Sequence, residues 1–156
     1  MKEAVYPPAE YADSPVRKRE WLSPGWAVMA TAEDGAIASY TGVVVTEGLV
    51  DGTPVTIGGI GGVATHPEHR GLGLAAESIE RAVALMEERG VDFALLVCDT
   101  RLIPYYGERG WRRFGGTTLV TQSGQEEVFT FNEVMVRNIG SAAPDAGTID
   151  LLGPPW

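Results

Sequence analysis

The residues best placed to do chemistry form one run, Val63-Ala64-Thr65-His66-Pro67-Glu68-His69-Arg70-Gly71-Leu72-Gly73-Leu74-Ala75, where a strand-like segment passes through a glycine-punctuated turn into a helix. Gly71 and Gly73 have no β-carbon, so backbone amides there can come close to a ligand. The first turn of the following helix offers unpaired N–H groups and the positive end of a dipole, which together bind anions without many lysines. Arg70 adds a planar cation whose fork suits phosphate oxygens. The chemistry this pattern predicts is a pyrophosphate cradle. A second set, Tyr105-Tyr106-Gly107-Glu108-Arg109-Gly110-Trp111, follows one apolar strand later and carries a phenol at Tyr106 and another at Tyr105.

The elements around these residues read as follows. Trp26–Thr31 and Ala36–Val45 are strands joined by Glu33-Asp34-Gly35, with glycine where positive φ is wanted, and Asp51-Gly52 makes a second hairpin turn. Thr53 to about Thr65 is a third strand that delivers the chain to the cradle. Ala75, Ala76, Ile79, Ala82, Val83 and Met86 recur at helical spacing, and Gly90 is placed to end that helix. Val91–Cys98 is nearly continuous in apolar residues, as a strand covered on both faces must be. Asp99 or Thr100 then caps a short helix running through Tyr106, with Pro104 tolerated in its first turn. Strands at about Thr117–Thr121 and Val128–Val136 close the sheet. Residues 1 to about 20 are polar, contain Pro7, Pro8 and Pro15, and support a short helix at best near Arg17–Trp21. The tail, residues 137–156, ends in the apolar, stiff Leu151-Leu152-Gly153-Pro154-Pro155-Trp156, which predicts a docked terminus.

At 156 residues and 44% hydrophobic content, the chain is predicted to be one domain, residues 1–156. No apolar run approaches the roughly 20 residues a bilayer needs, and no signal-peptide core follows Met1, so the expectation is a cytoplasmic protein with no membrane partner. The single Cys98 excludes an internal disulfide framework; it reads as a buried strand residue rather than a nucleophile. A formal charge of −9 with 12 basic residues argues against nucleic acid and fits a cationic small molecule. No metal ligand set is assigned.

The cradle, the helix, the second strand and the Tyr106-to-Trp111 spacing together resemble the GCN5-related N-acetyltransferase (GNAT) superfamily. Its acetyl-CoA loop, Arg/Gln-x-x-Gly-x-Gly/Ala, is met by Arg70, Gly73 and Ala75, and the resemblance covers roughly residues 26 to 136. It implies an α/β (α+β) fold: a mixed, mostly antiparallel sheet flanked by helices, here with a shortened N-terminal region, residues 1–25. The resemblance leaves the superfamily's first strand and its helix without a counterpart here; either the true start lies upstream of Met1, or the tail or a partner subunit covers the sheet edge, and the exposed edge predicts a homodimer. The single domain is then an acyltransferase: an acetyl-CoA-dependent N-acetyltransferase acting on a primary amine. The alternatives are transfer of a longer acyl chain, on a looser similarity of Gly147-Thr148-Ile149-Asp150 to nodulation-type N-acyltransferases, or a non-catalytic acyl-CoA-binding module.

The resemblance also implies roles. Val63, Ala64, Thr65, Arg70, Gly71, Leu72, Gly73, Leu74 and Ala75 would bind acetyl-CoA, with Asp99 where the superfamily often contacts the cofactor arm; helix capping explains Asp99 equally well. Backbone N–H groups around Val63–Thr65 would hold the thioester carbonyl. Tyr106, in the pattern Tyr-x-x-x-Gly-Phe/Trp, would protonate the departing sulfur: a phenol near pKa 10 is well matched to a thiolate. Within the superfamily, Gly-Val-Ala before the loop, Glu20-Trp21 upstream and a terminal Trp156 most resemble the aminoglycoside 2'-N-acetyltransferases, whose strand glutamate falls at Gly61 here and whose acidic residue two before the final tryptophan falls at Pro154. With those two lost, the remaining candidates for the acceptor pocket are Asp13, Glu133, Asp150 and the carboxylate of Trp156, the last of these expected as the catalytic base. An aminoglycoside or amino sugar is the expected acceptor.

Overall fold

Two tight turns shape the first half of the chain. The computed structural model describes residues 2–5 and 12–156; Pro7 and Pro8 of the N-terminal segment lie outside them. After a helical turn α1 (Lys2–Val5) and a 3-10 turn Pro15–Lys18 capped by Ser14, the chain enters β1 (Trp26–Thr31), β2 (Ile37–Val50) and β3 (Thr53–Thr65). Gly35 at φ +81° turns β1 into β2, and Asp51 at φ +48° with Gly52 at φ +80° turns β2 into β3, the paired positive-φ turn that matches the twist of an antiparallel hairpin. β2 runs on to the turn itself, five residues beyond the predicted Val45. The predicted N-terminal helix is only the 3-10 turn, and the following residues are extended.

The cradle then leads into helix α2 (Leu74–Glu88), closed by Gly90 at φ +68°. Next come β4 (Phe93–Cys98), a 3-10 turn Thr100–Leu102 and the short helix α3 (Ile103–Gly107), followed by β5 (Arg112–Arg113), β6 (Thr117–Gln122), β7 (Gln125–Val128), β8 (Glu133–Asn138) and β9 (Thr148–Asp150). Among the described residues these strands form one sheet in the order β5-β8-β4-β3-β2-β9-β6-β7, with β1 paired to β2. β3 and β4 are parallel, as are β6 and β9; the other pairings are antiparallel. The result is the mixed, mostly antiparallel sheet flanked by helices that the sequence implies. The predicted strand Val128–Val136 is instead two, because Phe129 to Asn132 leave the sheet, and β9 in the tail was not foreseen.

Alternation along β2, β3 and β4 sends side chains to both faces. One face carries Val43, Ile60 and Leu96, packed under Ile79 and Met86 of α2 and beside Tyr106 and Trp111. The other carries Val44, Ile57 and Leu95, covered by Phe114, Phe129 and Trp156. The tail is laid across this second face by Leu151 N–H on the Leu119 carbonyl (3.0 Å), Thr121 N–H on Gly153 (2.9 Å) and Leu22 N–H on Pro155 (2.7 Å).

Candidate active site

The site begins where two parallel strands part. β3 and β4 pair from Ile57 opposite Phe93 to Ile60 opposite Leu96; beyond that, β4 continues against β8 while Gly61 to Thr65 of β3 keep only β2 as a partner. At this point β3 holds a bulge: Gly62 and Val63 stand opposite the single residue Thr41, with Gly62 at φ +62°. A bulge re-aims the backbone that follows it, here Val63 to Thr65, toward the gap beside β4.

The gap is a pocket of about 170 Å³ lined by Val63, Ala64, Thr65, Ala75, Leu102, Tyr105 and Tyr106. It brings together the predicted strand residues, the last cradle residue and the predicted phenol. Leu102 and Tyr105 complete the wall. Tyr106 is buried, its ring edge-on to Tyr105 at 5.2 Å and to Trp111 at 6.3 Å, and the Arg109 guanidinium lies 3.7 Å over the Tyr105 ring.

In the turn before α2, Gly71 (φ +79°) and Gly73 (φ +76°) both adopt the left-handed conformation, and a β-carbon added at either would meet nothing within 4 Å. The cradle is therefore open. Gly73 is the N-cap of α2 and makes no side-chain cap bond, so side chains leave the first-turn N–H groups available to an anion. Arg70 folds back to donate from Nε to the Thr65 carbonyl at 3.3 Å, which fixes its guanidinium beside the strand end. Leu72 is exposed, and Leu74 opens the helix. Asp99 caps the 3-10 turn by accepting from Arg101 N–H at 2.9 Å; hydrogen bonds from Arg101 hold its carboxyl below the usual range.

On the opposite face, a groove of about 760 Å³ runs between the β4 end, the β5–β6 connection and the Val128–Val134 segment. Its wall is rich in hydroxyl and amide groups from Thr100, Thr117, Thr130 and Asn132, with Phe131 beside them. Glu133 lines it, bound by Arg113 through Nε at 2.7 Å and Nη2 at 3.1 Å, with Thr100 donating at 3.4 Å. Asp150 does not line it; its Oδ1 accepts from Leu152 N–H at 2.8 Å and turns the tail. Asp13 is exposed in the turn before Pro15.

Trp156 is 6% exposed, and its Nε1 donates to the Leu95 carbonyl at 3.2 Å. Its carboxyl carbon lies 3.0 Å from the position a β-carbon on Gly61 would take. Cys98 is buried, and burial, with Glu133 and Asp99 adding to it, pushes the thiol up to about 11; it is not a nucleophile at neutral pH. Sequence reasoning missed Leu102, which resembles an ordinary helix residue, and named Tyr105 only as a second phenol beside Tyr106. It also missed the meaning of Gly59 and Gly61: glycine inside a strand marks a close backbone approach, and that signal was present.

The parted parallel strand pair, the strand bulge, the glycine turn before α2 and the buried phenol lie together at one end of the sheet of an acyltransferase. The chain belongs to the GNAT acetyltransferase family: the model of the acetyltransferase (GNAT) domain matches residues 3–114. Among solved structures it is similar to a GNAT family N-acetyltransferase of Escherichia coli in complex with CoA, at TM-score 0.64 and 16% identity over 97% of this chain and 81% of that one. It is also similar to the ribosomal-protein-S18-alanine N-acetyltransferase of Escherichia coli, at TM-score 0.56 and 16% identity over 93% and 86%. A GCN5-related N-acetyltransferase from Kribbella flavida matches at TM-score 0.52 and 21% identity over 58% of this chain, which spans only 22% of that longer protein. These likenesses are of fold. No curated protein matches the chain. No helix among the described residues is long and apolar enough to cross a membrane.

Proposed function

We propose that the protein transfers acetyl from acetyl-CoA to a primary amine of a small cationic acceptor, an amino sugar or aminoglycoside, within a ternary complex. The observation that carries this reading is the single pocket joining Tyr106 to Val63–Thr65 and Ala75 at the mouth of the open cradle. Gly71, Gly73 and Arg70 hold the pyrophosphate, and the edge of Val63–Thr65 that β4 leaves free receives the extended arm. Acetyl-CoA supplies the acyl thioester. At about 170 Å³ the pocket suits a short acyl group better than a long chain.

The residues then share out the protons. Backbone N–H groups at Val63–Thr65 steady the carbonyl oxygen as negative charge gathers there. The amine nitrogen bonds to the carbonyl carbon, its proton passes through water to the Trp156 carboxylate, the carbon–sulfur bond breaks, and Tyr106 gives its proton to the sulfur. The hydroxyl-lined groove with Glu133 fits a polyhydroxylated amine better than a greasy one. Asp99 supports the turn between groove and pocket. Asp13 and Asp150 stand outside the groove lining and are left without a role in this reading. We further propose a homodimer through the outer edge of β1.

The test is thiol release from acetyl-CoA against amino sugars, aminoglycosides, polyamines and lysine peptides. Turnover with an amino sugar or aminoglycoside is expected. Turnover confined to peptides overturns the acceptor class, and silence across the panel with acetyl-CoA still binding by calorimetry overturns the acetyl-transfer reading.

A further inference from the structure

A hydroxyl group almost wholly removed from water, with no hydrogen-bond partner, destabilises a fold and marks a place where a ligand can supply the missing partner. Thr118 on β6 is such a residue. It is 3% exposed, it lines the groove of about 760 Å³, and its side chain has no hydrogen-bond partner among the described residues. The other side-chain hydroxyls buried to this degree are all bound: Ser39 donates to the Ala64 carbonyl at 3.3 Å, and Thr41 and Ser78 share a bond of 2.7 Å.

The same groove is lined by Phe131, on the backbone between β7 and β8 that has left the sheet. That stretch starts from a fixed point at Thr118, whose carbonyl accepts from Phe129 N–H at 2.8 Å. The N-terminal residues 19–21 then hold the ring. Arg19 lays its guanidinium over Phe131 at 5.1 Å and over Phe129 at 5.8 Å, and donates to Glu127 at 2.7 Å. Trp21 meets Phe131 edge-on at 6.3 Å. Glu20 fastens these residues to the β6–β7 turn: its backbone exchanges two hydrogen bonds with the Gln122 side chain, at 2.9 and 3.0 Å, and its carboxylate accepts from Ser123 N–H at 3.0 Å. Neither Arg19 nor Trp21 lines the groove, so the part of the Phe131 ring that does is left uncovered by them.

A saturated, hydroxylated ring has two surfaces that this pair matches. Its C–H face suits the electron-rich face of an aromatic side chain, and its hydroxyls suit a lone hydroxyl able to donate or accept. A polyamine or a lysine side chain offers neither. We infer that Phe131 and Thr118 are specificity-determining residues for the acceptor: Phe131 is the platform under a hydroxylated ring, and Thr118 hydrogen-bonds one of that ring's hydroxyls. This rests on the reading of the groove as the acceptor site.

Thr118→Val keeps the side-chain shape and removes the hydroxyl. Without ligand, its Tm should equal or exceed the native value, because no protein hydrogen bond is lost. With glucosamine as acceptor, kcat/KM falls about fivefold or more, acetyl-CoA affinity by calorimetry stays within about twofold, and Thr118→Ser recovers most of the loss. Among deoxy analogues of glucosamine, each lacking one ring hydroxyl, the native chain disfavours one by a similar factor, and Thr118→Val no longer distinguishes it. Phe131→Ala raises KM for glucosamine about tenfold with kcat within about threefold, and Phe131→Tyr restores it. A lowered Tm for Thr118→Val, equal use of every analogue by the native chain, or unchanged discrimination in Thr118→Val overturns the role of Thr118. A native KM in Phe131→Ala overturns the platform. If the native chain acetylates no amine, the transferase reading falls, and calorimetric titration of glucosamine into the native chain and the two variants decides the site: binding weakened in both variants upholds it, and equal binding or none throughout overturns it.

Discussion

At the level of single residues, Tyr106 and Cys98 show how burial alone does not define a role. Both are buried on the α2 side of the sheet, yet only Tyr106 lines the pocket. Tyr106→Phe keeps the ring and its edge contacts with Tyr105 and Trp111 while deleting the hydroxyl. The expected outcome is a kcat at least about 100-fold lower with little change in acetyl-CoA affinity, measured by steady-state thiol release and calorimetry. Cys98 behaves in the opposite way. Burial raises its thiol from 9.0 to about 11, so the folded state binds that proton more tightly than the unfolded chain. The stability this represents is complete below pH 9 and is lost as pH rises toward 11. Urea midpoints measured from pH 8 to 11 should therefore fall more steeply for the native protein than for Cys98→Ala. Iodoacetamide at pH 8 should label Cys98 slowly in the folded chain and rapidly in urea.

At the level of elements, the strand bulge is the feature on which the pocket geometry depends. Gly62 at φ +62° is in a conformation that costs a residue with a β-carbon about 1 to 2 kcal/mol, and the β-carbon itself would lie in ordinary contact with Tyr40 at 3.5 Å. Gly62→Ala is expected to lower Tm by about 2 to 8 °C and, by re-aiming the Val63 amide, to raise KM for acetyl-CoA. A second element contact joins α2 to β8 through Glu80 and Arg137 at 2.7 Å. The Arg137 hydrogen bond lowers the Glu80 pKa, so this contribution is present above the ordinary carboxylate range and lost as pH falls through the lowered value. Because Glu80 is half exposed, Glu80→Gln should cost less than about 1 kcal/mol at pH 7 in denaturant titrations, and progressively less as pH falls through the lowered value. The same elements show what a linear reading can reach. β1, α2 and the cradle were legible because their signals are local: a glycine turn, a helical repeat, a cap. β7 was not, since Gln125–Val128 is exposed throughout and has no inside-outside alternation to read. β9 has three residues, too few for any period, and its partners lie in β2 and β6, far away in the chain. The seat of Trp156 depends on contacts between positions 59, 61, 95 and 156, which no local spacing encodes.

At the level of the whole molecule, the sheet's edges bear on the homodimer proposed above. β9 covers the far end of β2 at Leu49 and Val50, while β1 covers its near end from Val43 back to Ile37. Among the described residues no strand pairs with the outer edge of β1, and Trp26, Met29 and Ile37 are 38%, 54% and 39% exposed around it. An unpaired strand with apolar side chains invites another strand. Arg89 covers the Trp26 ring at 3.9 Å but leaves the backbone edge of β1 open. Two copies related by a two-fold axis could pair β1 with β1 antiparallel, joining the sheets and covering these residues at once. The formal charge of −9 on each chain opposes this, and its repulsion is screened by salt. Sedimentation at micromolar concentration should therefore show a dimer whose dissociation constant falls as salt rises from about 20 to 200 mM, over which the Debye length shortens severalfold. Ala30→Pro removes one N–H and stiffens the edge, and Met29→Glu adds a charge there; either should give a monomer. Because the pocket is built from β3, α2 and α3 of one copy, monomeric Met29→Glu protein should keep native turnover per chain. A native chain that sediments as a monomer at all salts would show that this edge is protected by its own side chains rather than by a second copy.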